Sequence, residues 1–246
     1  GLTTRRGVSM TRNFLYRRTI PINDKIEVYV PYVGEILQCE DEYYSMVSVF
    51  TAMPIDYMVQ LDDAGIDFTS IDEWQLFLLF FSALRKRDTS MILGNLDLSK
   101  FEIGVNEQNG HVVLLDTEHD IRIDRALHGQ IADALRKIHH LEKNRRKPAN
   151  GDAKKYMLER ARKKMKRRQN RVEDSQLEAL IIAMVNTEQF KYDFEGTLEL
   201  SIYQFNESVR QIIKKVDYDN RMYGIYAGTV NAKELNPDDL NWLIHK

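Results

Sequence analysis

Arg136 to Arg171 reads RKIHHLEKNRRKPANGDAKKYMLERARKKMKRRQNR. Sixteen of these residues are Lys or Arg and three are acids (Glu142, Asp152 and Glu159), in a chain whose net charge is −2. The rest of the chain therefore carries 19 basic residues against 34 acidic ones, an asymmetry that the near-neutral total hides. Pro148-Ala149-Asn150-Gly151 interrupts the block, because proline breaks a helix and Asn-Gly favours a turn. The expectation is two helices, one running into the block and one over Ala153 to Arg171. In the second, Tyr156, Met157, Leu158, Ala161 and Met165 make only a thin apolar stripe, so most of its circumference is cationic.

A surface of that kind attracts polyanions. Three readings fit it: a helix solvated or answered by the chain's own acids, a nucleic-acid contact, or a dock for an acidic protein face. The residues expected to make a partner or polyanion contact are Arg145, Arg146, Lys147, Lys154, Lys155, Arg160, Lys163, Lys164, Lys166, Arg167, Arg168 and Arg171. Glu35, Glu40, Asp41, Glu42, Asp62 and Asp63 offer a complementary acidic face, which would allow head-to-tail association without nucleic acid.

Upstream of the block, apolar periodicity predicts a mainly α-helical fold with a small antiparallel β element. Ile26 to Val30 alternates as a strand ended by Pro31, and Tyr43, Met46, Val47 and Phe50 form one helical stripe. Pro54 suits the first turn of a helix reaching Leu61. Ser70 with Glu73 has capping-box spacing before Trp74 to Leu84, a run apolar enough to require protein on nearly every side. Phe101 to Asp116 reads as a hairpin about Asn109-Gly110, joining the first strand in one small sheet. Asp124 then caps a helix that continues into the basic block.

Downstream, Asp174 or Ser175 caps a helix with Leu177, Leu180, Ile181, Met184 and Val185 facing a core. Ser201 with Gln204 caps another, whose Phe205, Val209, Ile212, Ile213 and Val216 share a side. Tyr218, Tyr223 and Tyr226 with Gly224 and Gly228 suggest an aromatic turn, and Trp242, after a short helix from Pro237, is expected to dock on the C-terminal helices. The expected organisation is a flexible basic arm (1–20), a mixed helical domain with a hairpin (21–147), a basic linker helix (148–172) and a C-terminal helical subdomain (173–246).

Little here points to catalysis. HExxH, GxSxG, Walker A and GxGxxG patterns are absent, and so are zinc-finger spacing and an RNP signature. Cys39 stands alone beside Glu40 and Asp41, so it has no disulfide partner, and neighbouring acids oppose its thiolate. His139 and His140 diverge on a helix, while Asp116, His119, Asp120 and Asp124 read more simply as turn caps than as metal ligands. No catalytic residue, metal or cofactor is assigned. The opening GLTTRRGVSM lacks the apolar core of a signal peptide, and Trp74 to Leu84 is too short to cross a bilayer.

VYVPYVGEILQCEDEYYSMVSVFTAMPIDYMVQLDDAGIDF (Val28 to Phe68) and SIYQFNESVRQIIKKVDYDNRMYGIYAGTVNAKELNPDDLNWLIHK (Ser201 to Lys246) resemble small structural or assembly proteins encoded near bacteriophage tail genes. The YQFNESV segment in particular is similar to tail assembly chaperone-like proteins. The resemblance implies a noncatalytic protein acting through contacts with phage tail or other virion proteins, or with copies of itself. It would work in the host cytoplasm during assembly or in the virion. The basic block matches no pattern of that family, and nucleic-acid binding through it is the alternative.

Overall fold

The computed structural model describes residues 13–169 and 175–243. In chain order its elements are β1 (Thr19–Pro21), β2 (Glu27–Tyr29), α1 (Val33–Leu37), α2 (Glu40–Thr51), α3 (Met58–Asp63), α4 (Glu73–Leu84) and α5 (Ser90–Leu93). They are followed by β3 (Glu102–Val105), β4 (Val112–Asp116), β5 (Ile121–Ile123), α6 (Arg125–His139), α7 (Gly151–Gln169), α8 (Gln176–Val185), α9 (Phe194–Leu198) and α10 (Ile202–Tyr226). The protein is mainly α-helical with a small antiparallel β component. No helix among the described residues is long and apolar enough to cross a membrane.

Two units of dense contact divide the chain. One comprises Gly1–Val30 and Tyr44–Arg167, the other Pro31–Tyr43 and Arg168–Lys246. The boundaries thus fall within α2 and near the end of α7.

In the first unit, β1 pairs with β2 and a separate sheet has the order β3-β4-β5. The single sheet expected from sequence is therefore two. The turn between β3 and β4 is also wider than a two-residue Asn-Gly turn. Only Gly110 takes positive φ there, at 70°, and its N–H donates to the Asn106 carbonyl at 2.7 Å. Thr19 and Ile20, expected at the end of a flexible arm, belong to β1, and Ile20 is fully buried. Phe14 is buried as well, with Lys137 Nζ 4.3 Å from its ring centroid.

The core of this unit gathers Phe50 from α2, Trp74, Phe77 and Phe81 from α4, and Ile131, Leu135 and Ile138 from α6. α4 begins two residues later than its expected capping box. Asp72 accepts the Gln75 N–H at 2.9 Å, Gln75 Oε1 accepts the Asp72 N–H at 3.0 Å, and Glu73 is left free for other work. Asp124 does cap α6, accepting the Leu127 N–H at 2.9 Å. That helix stops at His140, in the left-handed region at φ 53°, instead of continuing into the basic block.

His128 of α6 lies inside this aromatic core, its ring centroid 4.4 Å from that of Phe77 and 5.5 Å from that of Trp74. Burial lowers its pKa to about 4. The unfolded chain takes up this proton near pH 6.5, so His128 subtracts nothing from stability above that pH. As pH falls from 6.5 towards 4, stability should decline by up to about 1.4 kcal/mol per unit from this residue. Urea unfolding at several pH values checks this, and a His128→Phe variant should show the shallower slope.

In the second unit, α1 is joined to the segment before α10 by main-chain bonds. The Val33 N–H donates to Leu200 at 2.9 Å and the Ile202 N–H to Pro31 at 2.8 Å. Glu40 accepts from the Leu177 N–H at 3.1 Å and from the Ser175 hydroxyl, fixing the start of α8, which Ser175 caps. Ser201 and Gln204 form the expected capping box of α10. Leu177, Ile181, Met184, Phe190, Ile202, Tyr203 and Phe205 are buried.

Candidate functional site

The basic block is divided by the fold into an extended strap and a helix. Residues 141–150 form no regular element, and α7 starts at Gly151, where Asn150 Oδ1 accepts the Ala153 N–H at 2.8 Å. This corrects the expected pair of helices meeting at Pro148. His140 has already turned the chain out of α6, and the strap is tied down by side chains instead.

The main tie is an ionic network under the strap. Arg136, whose side chain is only 7% exposed, donates to Glu73 at 2.9 Å, to Asp133 at 2.8 Å and to the Thr51 carbonyl at 2.7 Å. Lys143 of the strap reaches the other Glu73 oxygen at 3.0 Å. Burial pushes the Glu73 carboxyl up, but the bonds from Lys143 and Arg136 outweigh that and hold it below the usual range.

α7 is held along one face. Met157 and Leu158 pack against a cluster of Ala52, Ile55, Leu61, Phe68 and Leu76. Lys154 reaches Asp67 at 2.6 Å, and Arg162 reaches Asp62 at 2.6 Å and Asp63 at 2.7 Å. The Lys154 and Thr69 hydrogen bonds pull the Asp67 carboxyl down to about 2, and the two aspartates raise the Arg162 guanidinium. These pairs are solvent-accessible and screened by water, so they set the helix's orientation more than its stability. Half-buried Lys154, Leu158, Ala161, Arg162 and Met165 recur at helical spacing.

Of the sequence-predicted contact residues, Arg145, Arg146, Lys147 and Lys154 line a groove of about 880 Å³ between the strap and the Phe68 to Glu73 segment. Lys155, Arg160, Lys163, Lys164, Lys166, Arg167 and Arg168 are exposed on α7. Among the described residues, these seven and the three strap cations Arg145, Arg146 and Lys147 form no ion pair. Arg171 lies outside the described residues. The acidic face expected to answer the helix is partly spent: Asp62 and Asp63 hold Arg162 in the same molecule, and Glu40 caps α8.

A second feature was only half legible in the sequence: the apolar stripe of the helix after Ser201 shows as periodicity, but its exposure does not. α10 is 25 residues long, yet its buried residues are Ile202, Tyr203 and Phe205 alone, all in the first turn. Phe205, Val209, Ile212, Val216 and Tyr223 lie on one helical face. Phe205 is fully buried, whereas Tyr223 is 76% and Tyr226 82% exposed. The expected aromatic turn is thus the distal end of a helix, and the chain turns only at Gly228, φ 72°. Trp242 does meet α10: its carbonyl accepts from Gln211 at 2.7 Å and its ring centroid lies 5.7 Å from Lys215 Nζ.

Asp116 and His119 serve a turn. The carboxylate accepts the His119 N–H at 3.2 Å and faces His119 Nδ1 at 2.8 Å. No group of three or more His, Cys, Asp or Glu among the described residues is placed to hold a metal ion.

A family model described as the YomV second domain matches residues 165–245. The match starts near the end of α7, close to the contact boundary after Arg167, and takes in α8, α9 and α10. No curated protein and no solved structure matches the chain.

Proposed function

We propose that this chain is a noncatalytic assembly or structural protein that works through protein–protein contacts. The observation that carries the reading is the apolar face of α10, which leaves the core after Phe205 and continues through half-buried and then exposed side chains to Tyr226. An amphipathic helix that outruns its own core suits a helix of another subunit, because that partner removes the remaining apolar surface from water. The bacteriophage tail-region setting rests on the resemblance of Val28 to Phe68 and Ser201 to Lys246 to tail assembly proteins. In this reading α7 is an exposed basic helix that recruits an acidic protein surface.

Ile213→Asp with Tyr223→Asp tests it. Both positions are exposed, so the monomer should unfold within about 0.5 kcal/mol of the parent. By sedimentation velocity the parent should form a specific oligomer, or a complex when mixed with phage tail-region proteins, and the double variant should not. A parent that stays monomeric and binds none of them would contradict the proposal.

Nucleic-acid binding is the second reading, favoured by the ten exposed cations of the strap and α7 that make no ion pair among the described residues. Its mark would be a steep loss of retention with salt and little sequence preference.

A further inference from the structure

The charge of the chain divides along its two contact units. The unit containing α7 up to Arg167 has 26 Lys or Arg against 20 Asp or Glu, while the other has 9 against 17. Between Ser175 and Glu199 the second unit exposes large apolar side chains, namely Ile182, Tyr192, Phe194, Leu198 and Leu180, the last expected from sequence to face a core. In the same span Glu178, Glu188, Asp193, Glu195 and Glu199 are exposed and make no ion pair among the described residues, with Lys191 as the one cation. α8 and α9 pack against each other, so exposed apolar side chains and unpaired carboxylates are concentrated in this part of the unit. The outer face of α7 has the converse character, with Tyr156 65% exposed among Lys155, Arg160, Lys163 and Arg167.

We infer that the α8–α9 surface of one molecule binds the outer face of α7 of a second copy. The inference deepens the protein-contact reading and rests on it. Charge complementarity selects the occupant: the acidic α8–α9 span repels nucleic acid and attracts a cationic helix, and its exposed apolar side chains give Tyr156 a surface to cover. Of the acids first expected to take this role, Asp62 and Asp63 are engaged by Arg162 and Glu40 is engaged at the start of α8, whereas the five carboxylates of the α8–α9 span pair with no cation among the described residues. Because the two surfaces differ, the contact is heterologous and repeats head to tail, giving a ring or an open chain according to whether the rotation closes.

Two reversed full-length variants test it, Lys163→Glu with Lys164→Glu and Arg167→Glu, and Glu188→Lys with Glu195→Lys and Glu199→Lys. Each alone should associate about a hundredfold more weakly than the parent by sedimentation velocity at low salt. An equimolar mixture should associate again, since each supplies the face the other now needs. A mixture that stays monomeric while the parent assembles would overturn the contact. If both variants assemble like the parent and only Ile213→Asp with Tyr223→Asp abolishes assembly, this contact fails and the α10 reading stands. A parent that is monomeric throughout overturns this contact, and overturns the protein-contact reading as well when it also binds no phage tail-region protein.

Discussion

Arg136→Met should lower the stability of the chain by about 3 kcal/mol, read as a shift in urea midpoint without a change in slope. The side chain fills a buried position and satisfies three acceptors from three places: Glu73 at the start of α4, Asp133 on its own helix and the carbonyl that ends α2. Methionine replaces the volume but leaves the Thr51 carbonyl without this donor and Glu73 with Lys143 alone. Breaking one partner of a buried pair costs more than the pair contributes, because the remaining charge stays desolvated. The difference should narrow in acid. Glu73 is held below its ordinary pKa, so its contribution is full above that value and is lost as pH falls through the lowered one. Glu73→Gln, which keeps an acceptor for Arg136, should cost less than Arg136→Met.

The second large effect is on binding and leaves folding alone. Replacing Lys163, Lys164, Arg167 and Arg168 together by Glu changes eight units of charge on exposed positions that form no ion pair among the described residues. Stability should stay within about 0.5 kcal/mol of the parent, since surface substitutions away from packing or buried polar groups rarely do more. Self-association at low salt should fall at least about a hundredfold, because like charges then face the acidic α8–α9 span of the proposed contact. Single-stranded DNA is the useful second probe. If the parent retains it and the variant does not, the helix is a nucleic-acid contact and the alternative reading is favoured.

Local signals in the sequence were the dependable ones. The Asp124 cap and the Ser201/Gln204 box are each written within four residues, and each starts a helix where the spacing places it. The same logic misplaced α4, because Ser70/Glu73 and Asp72/Gln75 both have box spacing and only the latter makes the bonds. β1 and β5 have three residues each, too few for an alternating pattern to register. The pairing of Val33 with Leu200, and of Arg162 with Asp62 a hundred residues away, depends on tertiary approach that periodicity does not encode. For the site, the charge of α7 was plain in the sequence, but which face it would present was not. That follows from Met157 and Leu158 packing on the Phe68 cluster while Lys154 and Arg162 find aspartates on either side. The distal face of α10 was misjudged for a related reason: periodicity identifies an apolar stripe and says nothing of whether this molecule covers it.

The measurement closest to the central claim is sedimentation velocity on the unaltered chain across ionic strength. With the outer face of α7 open to an acidic protein surface, assemblies present at about 50 mM salt should dissolve towards monomer near about 500 mM, where charges are screened beyond a few ångströms. A monomer at every salt and protein concentration, or an assembly indifferent to salt, would contradict it.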